Sequence, residues 1–276
     1  MPDLLTSACE AALVGGRILR ERVGSLGVVR AKSTVTDLVT EVDVASGVAV
    51  VRALAADWPR ARFVVEEPEV CDLAGVTGGS LSDDEVWVVD PLDGTTSYVH
   101  GFPCYSVSIA LLREGRPVVG AVYNAAADQM NAAAVGCGAT RDGRALAVSA
   151  ASSIEEALLV TGFPYDRGET LDRQLVVLAH LLRRIQGVRR DGSAAIDLCH
   201  VAAGAADGFW EFALKTWDTA AGALIAAEAG AVVTDFSGRP WSSTTTDTLA
   251  ANPTLHPLML EAIAAGLAEG GFPWPS

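Results

Sequence analysis

Residues 85–101 read EVWVVDPLDGTTSYVHG. An apolar run, Val86 to Val89, ends in Asp90. Three residues later stands Asp93, followed by Gly94 and two threonines, Thr95 and Thr96. The run has the length and β-branched content of a buried strand. Asp-Gly is a common turn signal, so one reading is a hairpin. That reading gives Asp90 and the threonines no task. A second reading takes both aspartates as hard oxygen ligands, the kind Mg²⁺ prefers. Asp90 can then bridge two cations, with the Leu92 carbonyl turned to one and Asp93 to the other. Pro91 fixes φ, Gly94 permits an unusual turn, and Thr95 and Thr96 open a helical turn whose N–H groups favour an anion. This stretch alone leaves both readings open.

On the N-terminal side, residues 3–23 carry a helical pattern and 41–56 a second one, ending before Trp58-Pro59. RFVVEE (62–67) reads as a short buried strand ending in acids, and the Gly/Ser/Asp-rich residues 68–84 as a loop. From Cys104 to Ser149 short strands alternate with turns at Glu114-Gly115 and Asp142-Gly143, which predicts an antiparallel meander. ALLVTGFPY (157–165) is a further strand. The pattern then alternates. A helix covers 170–185. Another opens at Ser193 and stops at Gly204. GFWEFAL (208–214) is a strand, DTAAGALIAAEAG (218–230) a helix capped by Asp218, and AVVTDF (231–236) a strand. The whole predicts an α+β fold forming a single unit over 1–276, with pseudo-halves 1–150 and 151–276.

The chain has 276 residues, half of them hydrophobic, enough to bury a large core. Its net charge of −14 repels phosphate backbones, so no direct nucleic-acid partner is expected. An anionic substrate would need cations between itself and the protein. Five cysteines without a CxxC pair argue against a disulfide framework or a zinc site and fit a reducing, cytoplasmic setting. The N-terminus reads as an amphipathic helix rather than a signal peptide. No run approaches the roughly 20 apolar residues that span a bilayer, so no membrane partner is expected.

Four acids stand where strands end or a helix starts: Glu67, Asp90, Asp93 and Asp218. Such positions converge on one edge of a core. Buried carboxylates side by side need a counter-charge. Two Mg²⁺ ions sharing a carboxylate form a standard device for phosphoryl hydrolysis.

The sequence resembles the inositol monophosphatase family of Mg²⁺-dependent, lithium-sensitive sugar and inositol phosphatases, most closely its bacterial inositol-1-monophosphatase branch. WVVDPLDGTTSYVHGFPCYSVSIAL and WDTAAGALIAAEAGAVVTDFSG match the two family signatures. KSTVTDLVTEVD, VVEEPE and RRDGSAAIDLCHVAAGAADGFWE match the intervening segments in order, so the resemblance runs from about residue 8 to 265. It implies a layered α/β/α/β/α sandwich with an antiparallel sheet in the N-terminal half and a mixed sheet in the C-terminal half. It also implies two or three Mg²⁺ ions per site and a homodimer.

Residue by residue, the resemblance assigns Glu67, Asp90 and the Leu92 carbonyl to a first ion, and Asp90, Asp93 and Asp218 to a second. A third, weaker ion would touch Glu67. Glu66 is expected to point away as a solvated acid, because neighbouring side chains alternate faces. Glu67 and Thr95 would orient the attacking water, with Asp43 hydrogen-bonded to Thr95 and Lys32 near the metals. Gly94 and Thr95 N–H groups would hold the phosphate. Gly192, Ser193 and Ala194, with Glu211 and Asp218, would meet the substrate's hydroxyls, and TGFPY would line the pocket mouth. His100 and His200 are read as packing residues, and Arg189-Arg190 matches a basic pair near the family's dimer contact. Ser97 replaces the usual Asn. Lys215, before Trp217-Asp218, can bias the site towards extra negative charge on the substrate.

The expected function is hydrolysis of inositol monophosphate, or a similar small phosphorylated polyol, by metal-activated water. Alternatives on the same fold are fructose-1,6-bisphosphatase, 3′-phosphoadenosine 5′-phosphate phosphatase and histidinol-phosphatase activity. The last is weakened because GSAAIDL lacks the Gly-Asp element of that branch. A non-enzymatic alternative is a protein-binding regulatory factor, since some bacterial relatives act in transcription. The intact acid set favours catalysis.

Overall fold

The computed structural model describes residues 3–25, the backbone of 29–31, and residues 38–274. Helix α1 (Leu4–Arg22) opens at Asp3, whose carboxylate accepts from the Thr6 N–H at 2.9 Å. Its buried stripe is built of small residues, Ser7, Ala8, Ala11, Ala12, Gly15 and Gly16, at helical spacing. Strands β1 (Val29–Ala31) and β2 (Leu38–Thr40) pair antiparallel and lead into α2 (Glu41–Asp57). Thr40 caps α2, accepting from Val42 N–H at 3.1 Å while its own N–H donates to Asp43 at 2.8 Å.

The first large sheet follows. Strand β3 (Phe63–Val65) precedes the short helix α3 (Val70–Ala74) and the long β4 (Glu85–Asp93). After the one-turn α4 (Thr95–Val99) come β5 (Ser106–Arg113), β6 (Arg116–Asn124), β7 (Gln129–Ala134), β8 (Ala139–Arg141) and β9 (Arg144–Ala145). These seven strands lie in chain order. The hairpin turns at Glu114-Gly115 and Asp142-Gly143 have positive φ at both residues, the geometry that matches strand twist.

The second half begins with a 3₁₀ turn (Ile154–Glu156) and β10 (Leu158–Thr161), then α5 (Glu169–Leu182), β11 (Gly187–Arg189) and α6 (Ala194–Ala202). Next come β12 (Gly208–Glu211), α7 (Thr216–Glu228), β13 (Val232–Thr234), β14 (Thr248–Ala251) and α8 (Leu255–Glu269). The five strands order as β11-β10-β12-β14-β13, the first three parallel and β14 antiparallel to both neighbours.

Alternation along β4 builds the layers. Trp87 and Val89 enter a core with α1 and α2, whereas Val86 and Val88 face the opposite way into a core with α6 and α7. The far side of α6 (Leu198, Val201) packs on Val160 and Phe209 of the second sheet. That sheet's outer face (Leu159, Trp210, Leu249) meets α5 and α8. The order is α1–α2, sheet, α6–α7, sheet, α5–α8: a five-layer α/β/α/β/α sandwich. The middle helices fit because they carry small residues; a Cβ on Gly222 of α7 would lie 2.7 Å from Leu198 Cβ of α6.

Three expectations are corrected. The first sheet is not wholly antiparallel: β3 runs parallel to β4. Residues 68–84 include α3, which starts just beyond the buried Glu67. Asp218 is not the cap of α7 but its third residue; its carboxylate reaches back to the Lys215 N–H at 2.7 Å.

Candidate active site

Strand β4 leaves the sheet between Asp90 and Asp93, where its register with β5 shifts. Gly94 follows with φ 90°, a conformation costly for any side chain. A Cβ there would also lie 2.7 Å from the Cys104 carbonyl oxygen and 3.2 Å from that of Gly192. The turn is thus pressed between β5 and the start of α6. Gly94→Ala is expected to lower the unfolding free energy by about 2–4 kcal/mol, strain and overpacking together. Chemical denaturation measures it; a loss under about 0.5 kcal/mol would show that the turn tolerates a side chain.

Thr95 opens α4 and ties it to α2. Its hydroxyl lies 3.1 Å from Asp43 Oδ1 and 3.0 Å from the Leu92 carbonyl. One proton serves one acceptor at a time, so these two oxygens compete for it. Asp43 is wholly buried, and its Oδ2 accepts from Thr40 N–H at 2.8 Å and Thr40 Oγ at 2.6 Å.

The acids converge. Asp90 is buried and Asp218 half-buried, and both are held well above the ordinary carboxylate range, first by desolvation and then by neighbouring acids. Among those neighbours stands Glu66, which hydrogen-bonds Asp90 and acts on Asp93 and Asp218 as well. The structure therefore places Glu66 at this cluster. The reason is register. Val64 pairs with Val88, so one parallel step beyond Val65–Val89 sets Glu66 beside Asp90 on the same face. Glu67, the next residue, is also buried.

Asp93 is held by α6. Ser193 caps that helix, and its hydroxyl donates to Asp93 Oδ2 at 2.5 Å; the Ala195 N–H donates to the same oxygen at 2.9 Å. These bonds oppose the burial that pushes Asp93 up to about 6. Asp93 and Asp218 each use Oδ2 in these bonds, leaving Oδ1 outside them. Ser193 is thereby occupied by a protein carboxylate rather than turned wholly to a substrate. Ser97 reaches the Asp191 carbonyl at 3.4 Å and so steadies the loop that carries Gly192, whose φ is 98°.

A cavity of about 210 Å³ opens over the cluster, lined by Glu66, Tyr165, Glu211, Lys215 and Asp218 among others. A smaller lobe of about 60 Å³ reaches Asp93, Arg190, Gly192, Ser193, Ala194 and Asp197. Tyr165 and Phe163 of the loop after β10 border both. Burial, and then Asp93, push Glu211 up to about 8, against the pull of Arg190 and the Gly162 N–H.

Residues 1–268 match the family model described as Inositol monophosphatase family. The chain belongs to the inositol monophosphatase family. It is a phosphatase by that membership. Among its relatives, the inositol-1-monophosphatase of Synechocystis sp. is 38% identical over 95% of this chain and 88% of that one. Nus factor SuhB of Pseudomonas aeruginosa is 39% identical over 86% of this chain and 87% of its own. The structure of inositol monophosphatase from Anabaena (Nostoc) sp. PCC 7120 superposes with a TM-score of 0.83 at 38% identity, over 95% of each chain.

Measured against the family expectations, Asp43, Asp90, Leu92, Asp93, Gly94, Thr95 and Asp218 lie together, with Gly192, Ser193, Ala194 and Glu211 on the adjoining lobe. Lys32 lies outside the described residues. Two residues were missed. Glu66 was read as a solvated acid because its face depends on the register of β3 with β4. Asp197 is 1% exposed, with neither carboxyl oxygen hydrogen-bonded among the described residues, and burial holds it well above the ordinary range. Its signal was a lone acid within the apolar run AAIDLCHVAA. Among the described residues no helix is long and apolar enough to cross a membrane.

Proposed function

We propose that this chain, as one unit, is a Mg²⁺-dependent phosphomonoesterase that hydrolyses inositol monophosphate and similar small polyol phosphates with water as nucleophile. The buried cluster of Glu66, Asp90, Asp93 and Asp218 beside the Asp43–Thr95 pair carries this reading. Asp90, Asp93 and Asp218 are held above the ordinary carboxylate range by burial and then by neighbouring acids, Glu66 among them, and bound cations would relieve that cost. Among the described residues no three acidic, cysteine or histidine side chains close into a finished metal cage. Mg²⁺ does not need one, since it is held by one or two carboxylates with waters and substrate phosphate oxygens. The donor set fits: Glu66, Asp90 and the Leu92 carbonyl for one ion, Asp90, Asp93 and Asp218 for another. Bound there, the ions would acidify the attacking water and offset charge on the phosphate and the leaving oxygen.

The chain's own groups supply orientation. With the Leu92 carbonyl committed to a cation, the Thr95 hydroxyl would donate to Asp43, the stronger acceptor. The lone pairs of Thr95 Oγ would then be left to accept from the attacking water. The N–H groups of Gly94 and Thr95 hold the phosphate. Glu211 accepts from the polyol's hydroxyls in the lobe it shares with Arg190 and Ser193. Asp90 and Asp93 do not act as nucleophiles, because cation ligation blunts them.

Phosphate release is the test, run over inositol 1-phosphate, histidinol phosphate and 3′-phosphoadenosine 5′-phosphate. Inositol 1-phosphate is expected to be hydrolysed in Mg²⁺, to fall to background with excess chelator, and to be inhibited by Li⁺ at roughly millimolar levels. A strong preference for the adenosine compound, or activity in chelator, would overturn the reading. Relatives named Nus factor favour a second, binding role; a chain inert towards every phosphate ester would make that role the primary one.

A further inference from the structure

The loop from β12 to α7 is held more firmly than a surface connection requires. Ala213 has φ 60°, a region that residues with a side chain rarely occupy. Its N–H donates to Asp247 Oδ1 at 3.0 Å, and the next N–H, of Leu214, donates to the Thr246 carbonyl at 2.7 Å. On the other side the Thr216 hydroxyl donates to the Ser243 carbonyl at 2.9 Å, and the Lys215 N–H to Asp218 Oδ2 at 2.7 Å. A strained turn persists only where its surroundings over-determine it, and such turns gather at functional sites. What this one fixes is the backbone of Lys215.

The Lys215 side chain lines the larger lobe with Glu66, Tyr165 and Asp218, against the apolar walls of Phe212 and Trp217. Among the described residues no ion pair engages its ammonium. Of the chain's 20 basic residues only Lys32 and Lys215 are lysines. An arginine-rich surface thus carries a compact ammonium at the mouth of an acidic pocket. A phosphate seated over the cluster is already served by the groups named above. The ammonium is left to meet a different charge, and apolar walls strengthen such a contact.

We propose that Lys215 is a specificity-determining residue that favours polyol phosphates bearing a second phosphate. The inference rests on the phosphatase reading and leaves its chemistry unchanged: one ester bond is cleaved by water, and the second phosphate only binds.

The test compares kcat/KM for inositol 1,4-bisphosphate and inositol 1-phosphate in wild type, Lys215→Met and Lys215→Arg. Wild type is expected to favour the bisphosphate. Lys215→Met is expected to lower the bisphosphate-to-monophosphate ratio about tenfold, the size of one hydrogen bond to a charged group, and to do so through KM. Lys215→Arg restores most of the ratio. A ratio unchanged in Lys215→Met, or an arginine variant as poor as the methionine one, would overturn the proposal. If wild type hydrolyses neither compound, the phosphatase reading fails by itself. The same ratio, taken from calorimetric dissociation constants in Mg²⁺, then decides whether Lys215 reads the second phosphate.

Discussion

Glu66→Gln is expected to slow phosphate release by about 10³-fold. Glu66 and Glu67 are adjacent, and both follow the end of β3 at Val65. Glu66 shares a hydrogen bond with Asp90 and adds its charge to Asp93 and Asp218. Replacing it with an amide of the same size keeps the volume and removes the anion that would hold a cation and face the attacking water. Glu67 is buried beside Glu66 and is the acid that the family resemblance assigns to the cation, so Glu67→Gln is the companion variant. Phosphate-release rates at saturating Mg²⁺, with thermal unfolding as a control, separate the two. A Glu66→Gln enzyme with full activity beside an inactive Glu67→Gln would reinstate the opposite assignment.

Glu66 shows what sequence pattern carried and where it stopped. The DPLDGTT stretch was legible because every residue in it serves the same turn: the aspartates, the glycine at positive φ and the threonine that bonds Asp43 are local to one loop. The meander was legible from alternation and from two Asx/Glu-Gly turns. Glu66 was not, although alternation was the right tool. The parity of β3 is fixed only by its register with β4, and a one-residue error moves every side chain to the other face. The parallel β3–β4 edge was hidden for the same reason: neighbouring strands with a helix between them do not reveal their direction in a short apolar run. Asp218 looked like a helix cap because Asp is a common cap residue. Its role as third residue depends on the Lys215 N–H it receives. The tie from α6 to Asp93 joins residues about a hundred positions apart, which no local pattern encodes.

Asp93→Asn is expected to move activity and stability in opposite directions. Activity should fall by about 10³-fold or more, since the amide keeps the bonds from Ser193 and Ala195 but cannot serve as an anionic ligand. Stability without metal should rise. In the folded chain Asp93 titrates near 6, above its ordinary 3.8, because burial and the charge of Glu66 outweigh the Ser193 and Ala195 bonds. Below pH 3.8 it is protonated in both folded and unfolded chains and costs nothing. As pH rises through the interval to about 6, the unfolded chain releases its proton first, so ionisation draws the protein towards unfolding; above 6 the cost is complete. The amide variant has no proton to release and never incurs that cost. In chelator, the stability gained by the variant should therefore grow from about pH 4 to about pH 6.5 and then level off, at about 3 kcal/mol. In Mg²⁺ the gain should shrink or reverse, because the wild-type carboxylate is then neutralised by the ion it holds. Denaturant titrations in chelator and in Mg²⁺ across this pH range measure both effects. A variant that is destabilised in chelator at about pH 7 would mean that Asp93 is kept for the helix it caps rather than for a cation.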